Sequence, residues 1–89
     1  MENKDIVRIA RAISGMKQKQ LARQLEISKA TISKWESGAS DVPEARLEYF
    51  RGIIINFIMD MLELNKVDID KQDMYNMIID DGGRYESNN

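Results

Sequence analysis

Gln18-Lys19-Gln20-Leu21-Ala22-Arg23-Gln24-Leu25-Glu26-Ile27-Ser28-Lys29-Ala30-Thr31-Ile32-Ser33-Lys34-Trp35-Glu36-Ser37-Gly38 decides how this chain folds. Leu21, Ala22 and Leu25 recur at helical spacing and place one apolar face on a helix from Gln18 to Leu25. Glu26-Ile27-Ser28 is too short for anything but a tight turn, and Ser28 is well suited to accept backbone N–H bonds at the start of a second helix. That helix runs from Lys29 to Ser37. Ile32 and Trp35 share its inner face, and Gly38 ends it. At 100° per residue the opposite face carries Ala30, Ser33, Lys34 and Ser37.

Working outward, Ile6, Ile9, Ala10 and Ile13 form one face of a helix that stops at Gly15, a good left-handed terminator. On the other side Pro43 stands where a first helical residue tolerates a missing N–H, and a long helix is expected from about Glu44 to Asn65. A short last helix is expected from Lys71 to Ile79, capped by Asp70 and stopped by Gly82. The tail from Asp81 to Asn89 reads as frayed. The fold class is all-α.

Composition excludes several functions. The 89 residues contain no Cys and no His, so a disulfide framework, a zinc site, a thiol nucleophile and a Ser-His pair are all absent. No acid, base and nucleophile come together in the sequence, and the chain is not expected to be an enzyme or to carry a cofactor. Asp68, Asp70 and Asp73 lack the spacing and glycine of a calcium loop and read as helix capping, with no metal site. The longest apolar run, Ile53 to Met59, is interrupted by Asn56 and falls short of the roughly 20 residues a membrane span needs. With a polar N-terminus and no signal-type segment, the expected location is cytoplasmic, without a membrane partner.

The net charge of -2 conceals an asymmetry. Residues 1–51 hold 10 Lys/Arg against 7 Asp/Glu, and residues 52–89 hold 3 against 8. Between positions 8 and 34 seven cations, Arg8, Arg11, Lys17, Lys19, Arg23, Lys29 and Lys34, stand against the single acid Glu26. Such asymmetry points to a nucleic-acid or membrane partner, although each charge taken singly is also what a solvated helix face carries.

Gln-x-x-Leu-Ala at Gln18, Ile-Ser at Ile27, Thr-Ile-Ser-x-Trp-Glu-x-Gly at Thr31 and the proline at Pro43 together resemble the Cro and lambda-repressor-like (Xre-type) helix-turn-helix domain. The likeness covers about Ile6 to Phe50. It implies a lambda-repressor-like helical DNA-binding domain whose second motif helix enters the major groove of double-stranded DNA. Recognition helices contact base edges mainly through their first residues, which makes Lys29, Ala30, Ser33 and Lys34 the candidates for readout, with Thr31 on the flank for a phosphate or a thymine methyl. Gln18 is implied to touch the phosphate backbone, and Lys17, Lys19 and Arg23 are further backbone candidates. The resemblance also implies an ion pair between Arg11 and Glu36, a structural role, and it leaves Trp35 in the core.

Three positions depart from the family pattern. Glu26 stands in the turn where glycine is favoured, and a positive φ there would strain it by something like 1 kcal/mol. Lys17 replaces the usual Ser or Thr cap. Ala39-Ser40-Asp41-Val42 lacks the basic residues that relatives place against phosphate, and Asp41 would repel one.

The second half reads differently. Leu47, Phe50, Ile54, Phe57, Met61 and Leu64 repeat at alternating 3 and 4 spacing, with Ile55, Ile58, Met59 and Leu62 as a second stripe beside them. A helix apolar around most of its circumference must be covered on more than one side. Gly52 either lies within it or breaks it into two. The organisation expected is a DNA-binding domain at 1–52, a C-terminal helical dimerisation extension at 53–80 and a flexible tail at 81–89. Dimerisation is assigned to Ile54, Ile55, Phe57, Ile58, Met61 and Leu62, helped by Met74, Tyr75, Ile78 and Ile79, with a self-contained monomer core as the alternative. The function expected is a sequence-specific transcriptional regulator of bacterial or phage type, a repressor binding a palindromic operator as a homodimer. The competing reading is a protein-interaction module, such as an antitoxin or recruiting subunit, whose apolar helix engages a different protein partner.

Overall fold

The computed structural model describes residues 1–66 and 68–76, and five helices carry most of them. They are α1 (Asn3–Ser14), α2 (Gln18–Leu25), α3 (Lys29–Ser37), α4 (Glu44–Leu64) and α5 (Lys71–Met74). Each boundary has a local chemical cause. Gly15 adopts φ 70° and its N–H, with that of Met16, caps the carbonyls of Ala12 and Arg11. Lys17 offers no side-chain cap to α2, but Gln20 Oε1 accepts from the Lys17 backbone N–H at 2.8 Å, which secures the entry in the reverse sense. Ser28 Oγ accepts from Thr31 N–H at 3.1 Å to open α3, and Gly38 closes it at φ 85°. Pro43 sits at the N-cap of α4, one position before the first-turn place its sequence suggested, and its carbonyl accepts from Arg46 and Leu47. Asp70 Oδ1 accepts from the backbone of Gln72 at 2.7 Å and of Asp73 at 3.2 Å, so this acid caps α5.

The turn between α2 and α3 depends on Glu26, which holds φ 59° and ψ 43°. This left-handed conformation lets Ile27 N–H bond to Ala22 O at 2.9 Å and aims the chain into α3. A Cβ in this region costs about 1–2 kcal/mol, partly offset for glycine by the backbone entropy it loses on folding. Glu26→Gly is therefore expected to stabilise the protein by about 0.5–1 kcal/mol. In urea the midpoint should rise with an unchanged slope. An unchanged or lower midpoint would mean that the glutamate side chain offsets the strain.

The core is a single cluster. Ile6, Val7 and Ala10 of α1, Leu21 and Ala22 of α2, Ile32 and Trp35 of α3, Leu47, Phe50, Ile54 and Ile55 of α4, and Met74 of α5 are all buried together. Phe50 is its centre, meeting Trp35 edge-on at 6.2 Å and Tyr49 at 5.3 Å, an arrangement worth roughly 0.5–1.5 kcal/mol per pair beyond area alone. α1 packs on α3 and α4, α2 on α3, and α5 on α4.

α4 runs through Gly52 without a break. Its apolar stripe divides along its length: Leu47, Phe50, Ile54 and Ile55 face the core, whereas Phe57, Met61 and Leu64 are 45%, 44% and 77% exposed. This corrects part of the sequence reading. Ile54 and Ile55 are interior residues of one chain, each 2% exposed within the core cluster, and present no surface to another. Met74 is likewise interior, and Tyr75 is half-buried with its ring 6.0 Å from the Arg51 guanidinium. Ile58 and Leu62 are half-buried against the core, leaving Phe57 and Met61 as the outward members of that set. Ile78 and Ile79 lie outside the described residues, as do the expected end of the last helix and the tail. Arg51 also bonds Glu44 and Glu48, each at 2.8 Å, tying the first two turns of α4 together. No helix of the described residues is long and apolar enough to cross a membrane.

Candidate nucleic-acid interface

Three helices are locked together beneath the surface formed by α2 and α3. Arg11 of α1 donates through Nε to Glu36 Oε2 at 2.6 Å and through Nη2 to Oε1 at 3.0 Å, a bidentate ion pair. Arg11 Nη1 also donates to the Met16 carbonyl at 3.1 Å, at the α1–α2 junction. Gln18 Nε2 of α2 donates to the same Glu36 oxygen at 3.0 Å. The Glu36 side chain is only 9% exposed and that of Arg11 27%. Burial alone would push the Glu36 carboxyl up, but the hydrogen bonds from Arg11 and Gln18 outweigh it and hold the group below its ordinary value. The same bond keeps Arg11 above its already high value.

This network fixes the first residue of α2. Gln18, implied by resemblance to meet phosphate, is half-buried, and one amide hydrogen is committed to Glu36; its carbonyl oxygen and second hydrogen stay uncommitted. Sequence reasoning missed this third partner. Nothing periodic links positions 18 and 36, and only the packing of α2 on α3 brings them together. Missed too was the Arg46 guanidinium, which reaches from α4 to the Leu25 carbonyl at 3.4 Å, and the Gln24 amide, which donates to Tyr49 Oη at 2.9 Å. Both bonds anchor the C-terminal end of α2 to α4.

The outer surface carries Lys17, Lys19, Arg23, Lys29, Ala30, Ser33 and Lys34, all exposed, with Thr31 half-buried at its edge. Thr31 Oγ1 is 2.9 Å from Ser28 Oγ, so the two hydroxyls satisfy each other at the start of α3. Ser37 turns its hydroxyl back to the Lys34 carbonyl at 3.2 Å. Asp41, in the loop before α4, is exposed.

The charges of this surface differ from those elsewhere in how they are compensated. Lys4 pairs with Glu2, Arg8 with Asp5, Arg11 with Glu36 and Arg51 with Glu44 and Glu48. None of Lys17, Lys19, Arg23, Lys29 and Lys34 has a carboxylate within 4 Å among the described residues. Outside the surface only Arg46, Lys66 and Lys71 share that condition among the described residues, and Arg46 is turned inward to the Leu25 carbonyl. A cluster of five uncompensated cations on adjoining helices creates a positive potential suited to a polyanion.

Comparison with known proteins agrees with this geometry. Residues 7–48 match the family model described as Helix-turn-helix. No curated protein and no solved structure matched the chain. The matched segment begins within α1, contains α2, the Glu26 turn and α3, and ends in the first turns of α4. Residues 7–48 therefore form a helix-turn-helix domain of the lambda-repressor-like (Xre) family, whose members are DNA-binding regulators.

Proposed function

We propose that the protein is a transcriptional repressor that binds a palindromic operator as a homodimer. The observation that carries the reading is the set of five exposed, uncompensated cations on α2 and α3 and at their entry, within the matched domain. In this reading α3 lies in the major groove with Lys29, Ala30, Ser33 and Lys34 toward the bases and Thr31 at the flank. Gln18, Lys17, Lys19 and Arg23 meet the phosphates on either side, where the α2 N-terminus adds its own partial positive charge. Arg11 and Gln18, both bonded to Glu36, hold α1 and α2 against α3.

The division of labour is functional, since α4 passes from one part to the other without interruption. Residues 1–52 hold DNA and the stretch from 53 onward holds a second copy. Phe57, Met61 and Leu64 form an exposed apolar ridge at 3 and 4 spacing, and a two-fold axis beside it presents two α3 helices to half-sites about 34 Å apart. Repression follows when that operator overlaps a promoter and excludes polymerase.

Gel shift against DNA from upstream of the protein's own coding region tests the regulator: a preference over competitor DNA at moderate salt is expected, and equal binding to both would overturn it. The dimer has a separate test. Phe57→Asp with Met61→Asp leaves the buried core untouched, so helical circular dichroism should be retained while sedimentation shifts from dimer to monomer. A wild-type chain that sediments as a monomer at every concentration would remove the homodimer. If it aggregates alone and is rescued by a second protein, the ridge serves a different partner, in the manner of an antitoxin or recruiting subunit.

A further inference from the structure

We infer that the α3 surface selects keto bases, with a thymine C5-methyl seated against Ala30 and guanine or thymine edges against Lys29 and Lys34. The inference rests on the major-groove docking of α3 proposed above. Ala30 stands at the centre of the outward face and is exposed, and a methyl group is all it offers. Among the four bases only thymine presents an apolar group in the major groove. The polar neighbours narrow the choice further. Thr31, half-buried at the edge of the face, has its hydroxyl 2.9 Å from Ser28 Oγ, and Ser37 gives its one hydroxyl proton to the Lys34 carbonyl, which leaves Ser37 an acceptor only. Lys29 and Lys34 are exposed, have no carboxylate partner among the described residues, and can only donate.

Ser33 is then the one outward side chain of α3 between these lysines that can accept a hydrogen bond. A surface of donors and methyls fits guanine, with acceptors at O6 and N7, and thymine, with O4 and a methyl. It fits cytosine poorly, because the N4 amino group would face a donor, and adenine less well than guanine, because N6 would. One strand of each half-site is therefore a short run of guanine and thymine under the first turns of α3.

Selection of bound sites from random duplex DNA with the full chain, followed by replacement of each selected thymine by deoxyuridine, tests this directly. Deoxyuridine keeps every hydrogen-bonding group and removes only the methyl. Removing one buried methyl should weaken binding by about fourfold, at one position in each half-site. For Ala30→Gly the ratio of affinities for the thymine and deoxyuridine sites should fall to about one; being a ratio within one variant, it does not depend on how much of that variant is folded. Asn56→Ala, at an exposed position of α4 outside the DNA-binding surface, should leave the wild-type ratio in place. A selected site that tolerates deoxyuridine at every position, or that has no run of guanine and thymine on either strand under α3, overturns the inference while sequence-specific binding stands. Failure to enrich any site overturns both.

Discussion

Glu36→Ala is expected to lower stability by about 3 kcal/mol, which for a domain of this size takes roughly 12–24 °C from Tm. The substitution removes three hydrogen bonds at once, two from Arg11 and one from Gln18, and leaves the Arg11 guanidinium part-buried with only the Met16 carbonyl. A charge stranded in that way costs more than the intact pair contributes. Glu36→Gln should cost less, because an amide oxygen still accepts one bond. The effect also carries a pH signature. The Glu36 carboxyl is held below its ordinary value in the folded chain, so its contribution is complete above the unfolded-state value of about 4.3 and fades as pH falls through the lower folded value. The gap between wild type and Glu36→Gln should be constant near neutrality and close progressively below about pH 4. Urea unfolding of both proteins from pH 7 down to pH 3 measures it. A Tm unchanged by Glu36→Ala would show that the network contributes nothing.

Lys29→Ala with Lys34→Ala is expected to weaken operator binding by about a hundredfold or more, since each well-placed base contact contributes about 1–3 kcal/mol. Both side chains are exposed and neither has a carboxylate partner among the described residues, so folding should be unaffected. Discrimination should fall along with affinity, because these two lysines are donors on the face proposed to meet the bases. Lys19→Ala with Arg23→Ala should behave differently. Phosphate contacts carry no sequence information, so binding to operator and to scrambled DNA should weaken together. The slope of log affinity against log salt should flatten by about 0.9 for each phosphate no longer neutralised. Fluorescence anisotropy at several salt concentrations on both DNAs separates the two pairs. Equal weakening on operator and scrambled DNA for the Lys29/Lys34 pair would assign it to the backbone.

The residues that made the fold legible are those whose chemistry acts locally. Gly15 and Gly38 terminate helices because a left-handed φ is open to them, Ser28 and Asp70 open helices because a short oxygen side chain reaches a free N–H, and each signal lies within four residues of its effect. The outward face of α3 was legible for the same reason, since 100° per residue separates Ala30 and Lys34 from Ile32 and Trp35. The apolar stripe of α4 was harder. Ile54 and Phe57 lie one turn apart in the same pattern, yet one is interior and the other exposed. The difference lies in which stretch of α4 the other helices pack against, which periodicity does not record. The third partner of Glu36 was hidden similarly, because Gln18 lies 18 residues away and bears no charge to advertise the contact.

The uninterrupted passage of α4 through Gly52 has a mechanical consequence. Phe50, locked in the core beside Trp35 of α3, and Met61, on the open ridge, belong to one rod with no joint between them. In the proposed homodimer, a second chain seated on that ridge would be held at a set distance and angle from the α3 helix of the first, so that its reach along DNA would not be adjustable. Flexible tethers tolerate operators of many lengths; a rod measures one. Inserting or deleting a single base pair between half-sites should then be penalised as severely as changing a contacted base, and the chain would act as a ruler as well as a reader.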